Sequence, residues 1–334
     1  MWKYANPGDY RLLNRHNGTT YVNSIEDYGR APKTGCSYTT QTKEDYPIQL
    51  PDNMTDFWFK ADILIADDVD IFICNKNQNY KVILKLTKNG WHLEAEHRAF
   101  DYNIQRFAVL NEVREETLDL DGRCVTIQLH IKSVKMNESS VFNLATGLVE
   151  LRINNRIMAT IDNLAIMNGE PILFSTMKSE FGYSYFSNII VSDEKIVSRE
   201  HVCTIPVKAT YLNGWIETVQ DGDVVGYETA YADKSISHTI DVDALVEKLG
   251  ENISISSISF QAFDISSNDE DVVDSIQKAV IVGGDEFVID QAKIIDNRYI
   301  SNAVTQNPYT NLPWTIEDLK TTELILRSAK SEVS

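Results

Sequence analysis

The chain has 334 residues, 43% of them hydrophobic, and a formal net charge of −18. That length suits two domains better than one, and the hydrophobic content argues against disorder. So acidic a chain makes a poor nucleic-acid binder, because phosphate contacts need clustered cations. The charge is uneven: residues 1–198 hold 21 Lys+Arg against 26 Asp+Glu (−5), and residues 199–334 hold 10 against 23 (−13). The acidic half reads as a solvated surface. No apolar run approaches the ~20 residues of a membrane helix, so no membrane insertion is expected. The opening MWKYANPGDY has no apolar core, so no secretory signal is expected. Cys36, Cys74, Cys124 and Cys203 are scattered without CxxC spacing, which reads as isolated or buried thiols.

Strand patterns dominate from residue 54. MTDFWFKADILIA (54–66) alternates and then becomes continuously apolar; DIFICN, YKVILKL, GWHLEAEH, RCVTIQLHIKSV, PILFS and SYFSNIIVSD follow. Turn signals separate them at Asp67-Asp68, Asn75 to Asn79, Asn89-Gly90, Asp121-Gly122, Asn154-Asn155 and Asn168-Gly169. LVELRINNRIMATI (148–161) predicts a hairpin, since Asn-Asn tolerates the positive φ of a tight primed turn. Many short strands at this spacing predict a sandwich over residues 1–197. A polar connector, KIVSREH (195–201), places the domain boundary near 195–203.

The second domain, 203–334, restarts with CTIPVKATYL, WIETV, VGYETAYA and SISHTID. DVDALVEKLG (241–250) predicts a helix capped by Asp241 and ended by Gly250, with Leu245 and Leu249 on one face. ISISSISFQAFDIS, SIQKAVIVGG and EFVIDQAKI follow, with the acidic SSNDEDVVD (266–274) read as a loop. Near the C-terminus, Pro308 and Pro313 bracket an irregular loop. Thr315 and Asp318 have capping-box spacing, and TELILRS (322–328) alternates as a last strand. The fold class is therefore mainly β: two antiparallel, jelly-roll-like sandwiches in tandem, the second with one short helix.

Four clusters raise the question of chemistry. WHLEAEH (91–97) holds His92, Glu94, Glu96 and His97, yet it is not HExxH. As a strand it points Trp91, Leu93 and Ala95 to the core and His92, Glu94 and Glu96 to solvent. EETLDLDG (115–122) offers Glu115, Asp119 and Asp121 as paired carboxylates for glycoside hydrolysis, but Gly122 puts them at a turn. ADDVD (66–70) has carboxylates suited to calcium, or to an acidic turn. Trp215, Tyr227 and Tyr231 are either a sugar-stacking platform or core aromatics. GxGxxG, GxxxxGK[ST] and GxSxG are absent. No catalytic, cofactor-binding or metal residue is assigned, and no cofactor is expected.

NPYTNLPWTIEDLKTTELILRSA (307–329) resembles the C-terminal ending of a broad group of bacteriophage virion proteins. The matching residues are Asn307, Pro308, Thr310, Pro313, Trp314, Thr315 and Leu319, and KAVIVGGDEFVID and RYISNAVTQ before them also fit. Asn311 stands where glycine is common, which concerns turn geometry. LVELRINNRIMATIDN…GEPILFSTMKSEFGYSYFSNIIVSD resembles the last strands of a concanavalin A-like, laminin-G-like jelly roll. The resemblance implies a non-enzymatic structural component of a phage virion, most readily of the tail or a tail appendage. It would be present in several copies per particle, partnered by other virion proteins, and assembled in the host bacterial cytoplasm. The alternatives are a host-glycan-binding adhesin and a polysaccharide depolymerase. Trp314 is expected to be buried at the base of the second sandwich.

Overall fold

The computed structural model describes residues 2–6, 20–23, 37–40, 56–75, 80–101, 106–132, 147–164, 172–179, 185–196, 202, 205–220, 223–262, 272–294 and 300–330. The turn signals at 76–79 and 168–169, the connector at 197–201, the acidic loop at 266–271, Cys36 and Cys203 lie outside these residues. The chain divides into two compact units, Met1–Cys203 and Thr204–Ser334.

The strands of the first unit are β1 (Trp2–Asn6), β2 (Thr20–Asn23), β3 (Ser37–Thr40), β4 (Asp56–Leu64), β5 (Val69–Asn75), β6 (Tyr80–Thr87), β7 (Gly90–Asp101), β8 (Arg106–Thr117), β9 (Cys124–Lys132), β10 (Gly147–Ile153), β11 (Arg156–Leu164), β12 (Ile172–Ser179) and β13 (Tyr185–Ser192). They form two antiparallel sheets. One runs β11-β10-β9-β4-β13-β3-β2, with β1 also on β13; the other runs β12-β5-β6-β7-β8. Alternation explains why these residues pair as layers. Phe57, Phe59, Ala61 and Ile63 of β4, Ile127, Leu129 and Ile131 of β9, and Val149 and Leu151 of β10 are fully buried. So are Val69, Ile71 and Ile73 of β5, Val82, Leu84 and Leu86 of β6, and Leu93 and Ala95 of β7. Each Val, Leu, Ile or Phe side chain so withdrawn from water is worth about 1.5–3 kcal/mol. The expected hairpin is present: Asn154 (φ 50°) and Asn155 (φ 68°) form the turn that joins β10 to β11.

β4 is buried on both faces, although its alternation through residue 62 reads as that of a strand with one polar face. Its second face carries Trp58, Lys60 and Asp62, and these too are covered. Trp58 and Ile190 pack with Ile196 and Val202, beyond the end of β13. The chain after β13 is thus tied to this sheet. Gln128 Nε2 donates to the Ile196 carbonyl at 3.2 Å, and the Val202 amide donates to Asn188 Oδ1 at 2.7 Å.

The second unit contains β14 (Val207–Asn213), β15 (Ile216–Gln220), β16 (Asp223–Glu228), β17 (Ser235–Ile240), α1 (Val242–Leu249), β18 (Ile258–Ala262), β19 (Ser275–Val282), β20 (Asp285–Lys293), β21 (Ile300–Val304), α2 (Ile316–Lys320) and β22 (Glu323–Ala329). Five strands make an antiparallel sheet in the order β14-β17-β22-β19-β20; β15-β16 and β18-β21 form two-stranded ladders. Asp241 caps α1 through the Ala244 amide and Gly250 ends it. Leu245 is buried, while Leu249 is half-buried. The helical turn expected after Thr315 is a five-residue helix, α2, so two helices occur among the described residues. In β22 the more buried parity is that of Ile325; Leu324 and Leu326, on the other face, are half-buried.

Candidate functional site

The clusters singled out in the sequence fall on different surfaces. Trp91, Leu93 and Ala95 are buried, as the strand reading requires. His92 lies opposite Glu115 in the β7–β8 register, and its Nδ1 is 3.1 Å from Glu115 Oε2 and its Nε2 3.7 Å from Glu94 Oε2. Two of the clusters therefore meet, but as a cross-strand polar network at the surface that Asn111 joins by donating to Glu94 at 2.6 Å. Asp119 pairs with Arg123 at 2.5 Å and Asp121 with Lys88 at 3.6 Å, so Glu115, Asp119 and Asp121 face three separate partners, His92, Arg123 and Lys88, and do not converge. Of the ADDVD carboxylates, Asp67 is buried, Asp68 exposed and Asp70 half-buried in β5. No group of three or more His, Cys, Asp or Glu suited to a metal occurs among the described residues. The His97 side chain lies outside them. Trp215 is half-buried, Tyr227 packs edge-on against His238 with centroids 6.5 Å apart, and only Tyr231 is exposed. These three aromatics form no common platform.

The 307–322 segment is a built structure. Asn307 is fully buried, and its Oδ1 accepts from the amides of Tyr309 (2.9 Å) and Thr310 (3.4 Å). Its backbone closes the loop: the Asn307 amide donates to Leu312, and the Asn311 amide donates to the Asn307 carbonyl. Asn311 has φ 58°, the left-handed region. Glycine enters that region freely and asparagine tolerates it, which explains the residue found there. Trp314 is 3% exposed, bridges Ile255, and donates from Nε1 to the Val304 carbonyl at 2.9 Å. Thr315 and Asp318 complete a capping box, and Thr322 Oγ1 donates to the Asp318 carbonyl at 2.7 Å. Tyr309 rides over the β19–β20 turn, where a Cβ on Gly283 would meet its ring at 3.0 Å. Tyr309 and Leu312 remain exposed at the tip.

Sequence reading missed two sheet faces. On the first unit, Trp58 stacks on His130 at 4.2 Å and 7°, with the Arg152 guanidinium 5.7 Å and Lys195 Nζ 5.9 Å from its ring. His130 Nε2 lies 2.7 Å from Asp56 Oδ1, and Asp62 accepts from Thr126 (2.5 Å) and Asn188 (2.7 Å). Burial, aided by the charge of Asp62, pushes the Cys124 thiol up to about 11. This face is filled by its own side chains and offers a ligand no ring surface.

On the second unit, the inner face of the five-stranded sheet holds Ile236, Ile240, Ile276, Val280 and Val282, all buried. It also holds Lys278, whose ammonium is pushed down to about 7 by burial, against the opposing pull of Asp290. His238, beside Thr210 at 2.9 Å, is likewise lowered by burial. The outer face carries a continuous row, Tyr211–Ser237–Ile325–Ala279–Val288, one residue from each strand. Tyr211 is 58% and Val288 56% exposed, whereas Ala279 and Ile325 form a buried floor. Arg327 and Gln277 occupy the next row on one side and Glu286 the next row on the other. Arg327 donates to Gln277 Oε1 at 2.5 Å and forms a two-pronged pair with Glu286 at 2.8 and 3.1 Å, passing over Ala279. Gln291 Nε2 donates to Ser275 Oγ at 3.0 Å on the same face.

No family model matches the chain, and no curated protein matches it. Solved structures give distant likenesses. The binding domain of botulinum neurotoxin DC, in complex with rat synaptotagmin II, is 8% identical and covers 98% of this chain and 99% of its own, with a TM-score of 0.36. Domains LG4-5 of the mouse laminin alpha1 chain are 11% identical over 85% of this chain and 70% of their own, with a TM-score of 0.31. The alginate lyase of a Chlorella virus is 11% identical over 57% of this chain and 91% of its own, with a TM-score of 0.30.

Proposed function

We propose that the chain is a non-enzymatic structural component of a bacteriophage virion, in the tail or a tail appendage. The reading is carried by the segment 307–328. The residues that resemble the ending of phage virion proteins are those with structural work to do: Asn307 holds the loop closed, Trp314 is buried, and Thr315 caps α2. Asn311, the one departure, occupies a left-handed position that suits it. The pattern is thus one of a closing device for a small β-domain, and it supports a module built for persistence in a particle. Particles of the phage or prophage that encodes the chain provide the test. Immunogold labelling and quantitative mass spectrometry of purified virions should find the chain in several copies per particle. Its absence from purified particles would overturn the reading.

A host-glycan-binding adhesin is the second reading, favoured by the exposed Tyr211 face of the second unit. The two are compatible in one particle, since an appendage protein can both assemble and bind.

A further inference from the structure

We propose that β8 is a dimer edge: two copies of the chain join their β12-β5-β6-β7-β8 sheets by pairing β8 with β8, antiparallel, about a two-fold axis at Val113. β8 is the end strand of that sheet and is 12 residues long. Residues 111–117 are all exposed, on both faces of the strand.

Pairing with β7 fixes which backbone groups face outward. The Leu118 amide donates to the Asn89 carbonyl at 2.9 Å, and the register from Thr117 to Arg106 runs without a shift. In an antiparallel ladder alternate residues turn their N–H and C=O to the same side. Glu112, Arg114 and Glu116 therefore turn theirs toward β7, as Leu118 does, and a Cβ on Gly90 would strike the Glu116 carbonyl. Asn111, Val113 and Glu115 turn theirs outward. The Val113 carbonyl is met at 2.8 Å by the Arg114 guanidinium of its own strand, which stands where a neighbouring strand would donate.

The side chains name the occupant. Charges commonly guard an open edge, but these are complementary to themselves. With the axis at Val113, Glu112 of each copy lies opposite Arg114 of the other, Asn111 lies opposite Glu115, and Val113 meets its equivalent. Opposite charges across a ladder attract, and like charges directly opposite repel. Moving the axis to residue 112 sets Glu112 against Glu112; residue 114 sets Arg114 against Arg114, and residue 115 sets Glu115 against Glu115. One register is thus selected. In it Val113 forms a hydrogen-bonded pair with its equivalent, and Asn111 and Glu115 pair likewise on either side. Glu112 and Arg114 lie 3.4 Å apart on their own strand with half of each side chain exposed, so both reach across the edge from solvent. The contact is isologous and closes at two copies. It lies on the less acidic half of the chain, −5 against −13.

The inference does not rest on the virion reading, which is tested on particles; failure of one leaves the other intact. Sedimentation velocity of the purified full-length chain, from about 1 to 300 μM, should show a reversible monomer–dimer equilibrium that weakens with salt. Val113→Pro removes an amide that faces outward and none that faces β7. It should abolish the dimer and leave the circular dichroism spectrum unchanged. Glu112→Arg and Arg114→Glu should each weaken dimerisation by about tenfold, because two attractions become two repulsions. Mixed in equal amounts, these two charge variants should form a heterodimer by native mass spectrometry, since one then carries two positive positions and the other two negative. A chain monomeric at every concentration would overturn the proposal and leave β8 as a guarded edge or one open to a foreign strand. So would a dimer indifferent to Val113→Pro, or a mixture of the charge variants that associates no better than either alone.

Discussion

Lys278 offers the most direct test of how the second unit is held together. It sits in β19, fully buried, opposite Asp290 of β20 and Leu326 of β22. Burial lowers its pKa from 10.5 to about 7, with Asp290 opposing the shift. The folded state therefore binds the proton more weakly than the unfolded chain. Below pH ~7 both states carry it, and the fold bears the full cost of a buried cation. Between pH ~7 and 10.5 only the unfolded chain stays protonated, so stability rises with pH across that window. From pH 7 to 9.5 the gain is about 3 kcal/mol at 1.36 kcal/mol per unit of pH. His238, lowered by burial, has completed its own contribution below this range. Urea titrations of the full-length chain at pH 7.0, 8.0 and 9.5 should show the transition of the second unit moving steadily to higher urea. Lys278→Met keeps the length and removes the charge. It should raise stability at pH 7 by about 2 kcal/mol, allowing for the interaction Lys278 gives up, and should flatten the pH dependence. A wild-type transition insensitive to pH between 7 and 9.5, or a Lys278→Met chain less stable at pH 7, would refute the reasoning.

The other predictions are simpler. Trp314→Ala should destabilise the second unit by about 3–5 kcal/mol and leave the first unchanged; in calorimetry only one of two transitions should fall, and a single transition lost as a whole would show one continuous domain. Replacing Asn154 and Asn155 together by Ala should cost about 2–4 kcal/mol in the first unit, because both sit at positive φ, whereas Asn155→Gly should be neutral or slightly stabilising by thermal melting. With its thiol pushed up to about 11, half-buried Cys124 should react with iodoacetamide at pH 8 far more slowly than free cysteine in a time course followed by peptide mass spectrometry, and rapid labelling would contradict the raised thiol pKa.

What the sequence made legible was whatever depends on near neighbours in the chain. Alternation placed Trp91, Leu93 and Ala95 on the core face because parity along a strand needs no knowledge of its partner. Asn154-Asn155 announced a primed turn because φ is a property of two residues and their backbone. Asp241 and Thr315 announced helix starts because a cap reaches only three residues ahead. The burial of the polar face of β4, with Lys60 and Asp62, was not legible in this way. At Trp58 that face packs against Ile196 and Val202, over 130 residues away in the chain, and the polar connector gave no hint that these two residues in and beside it would be buried.

The same distinction explains why the outer face of the second sheet stayed hidden. Its row draws Tyr211, Ser237, Ala279, Val288 and Ile325 from five strands, and their order in space is not their order in the chain. Two facts bring them level: β22 inserts between β17 and β19, and a bulge shifts the register of β20 after Lys278. Without that bulge, alternate residues of β20 would exchange faces, and Val288 would leave the row. Nor does composition mark this face. Arg327 and Glu286 lie 41 residues apart and read as ordinary surface charges until the β19–β22 and β19–β20 ladders bring them to 2.8 Å. The aromatic cluster that the sequence did suggest, Trp215, Tyr227 and Tyr231, fails for the complementary reason. Closeness along the chain put those three on the β15–β16 hairpin and its flanks, where Tyr227 turns inward onto His238. A platform on a sheet is made by register, and register is set by partners that one strand's own residues do not name.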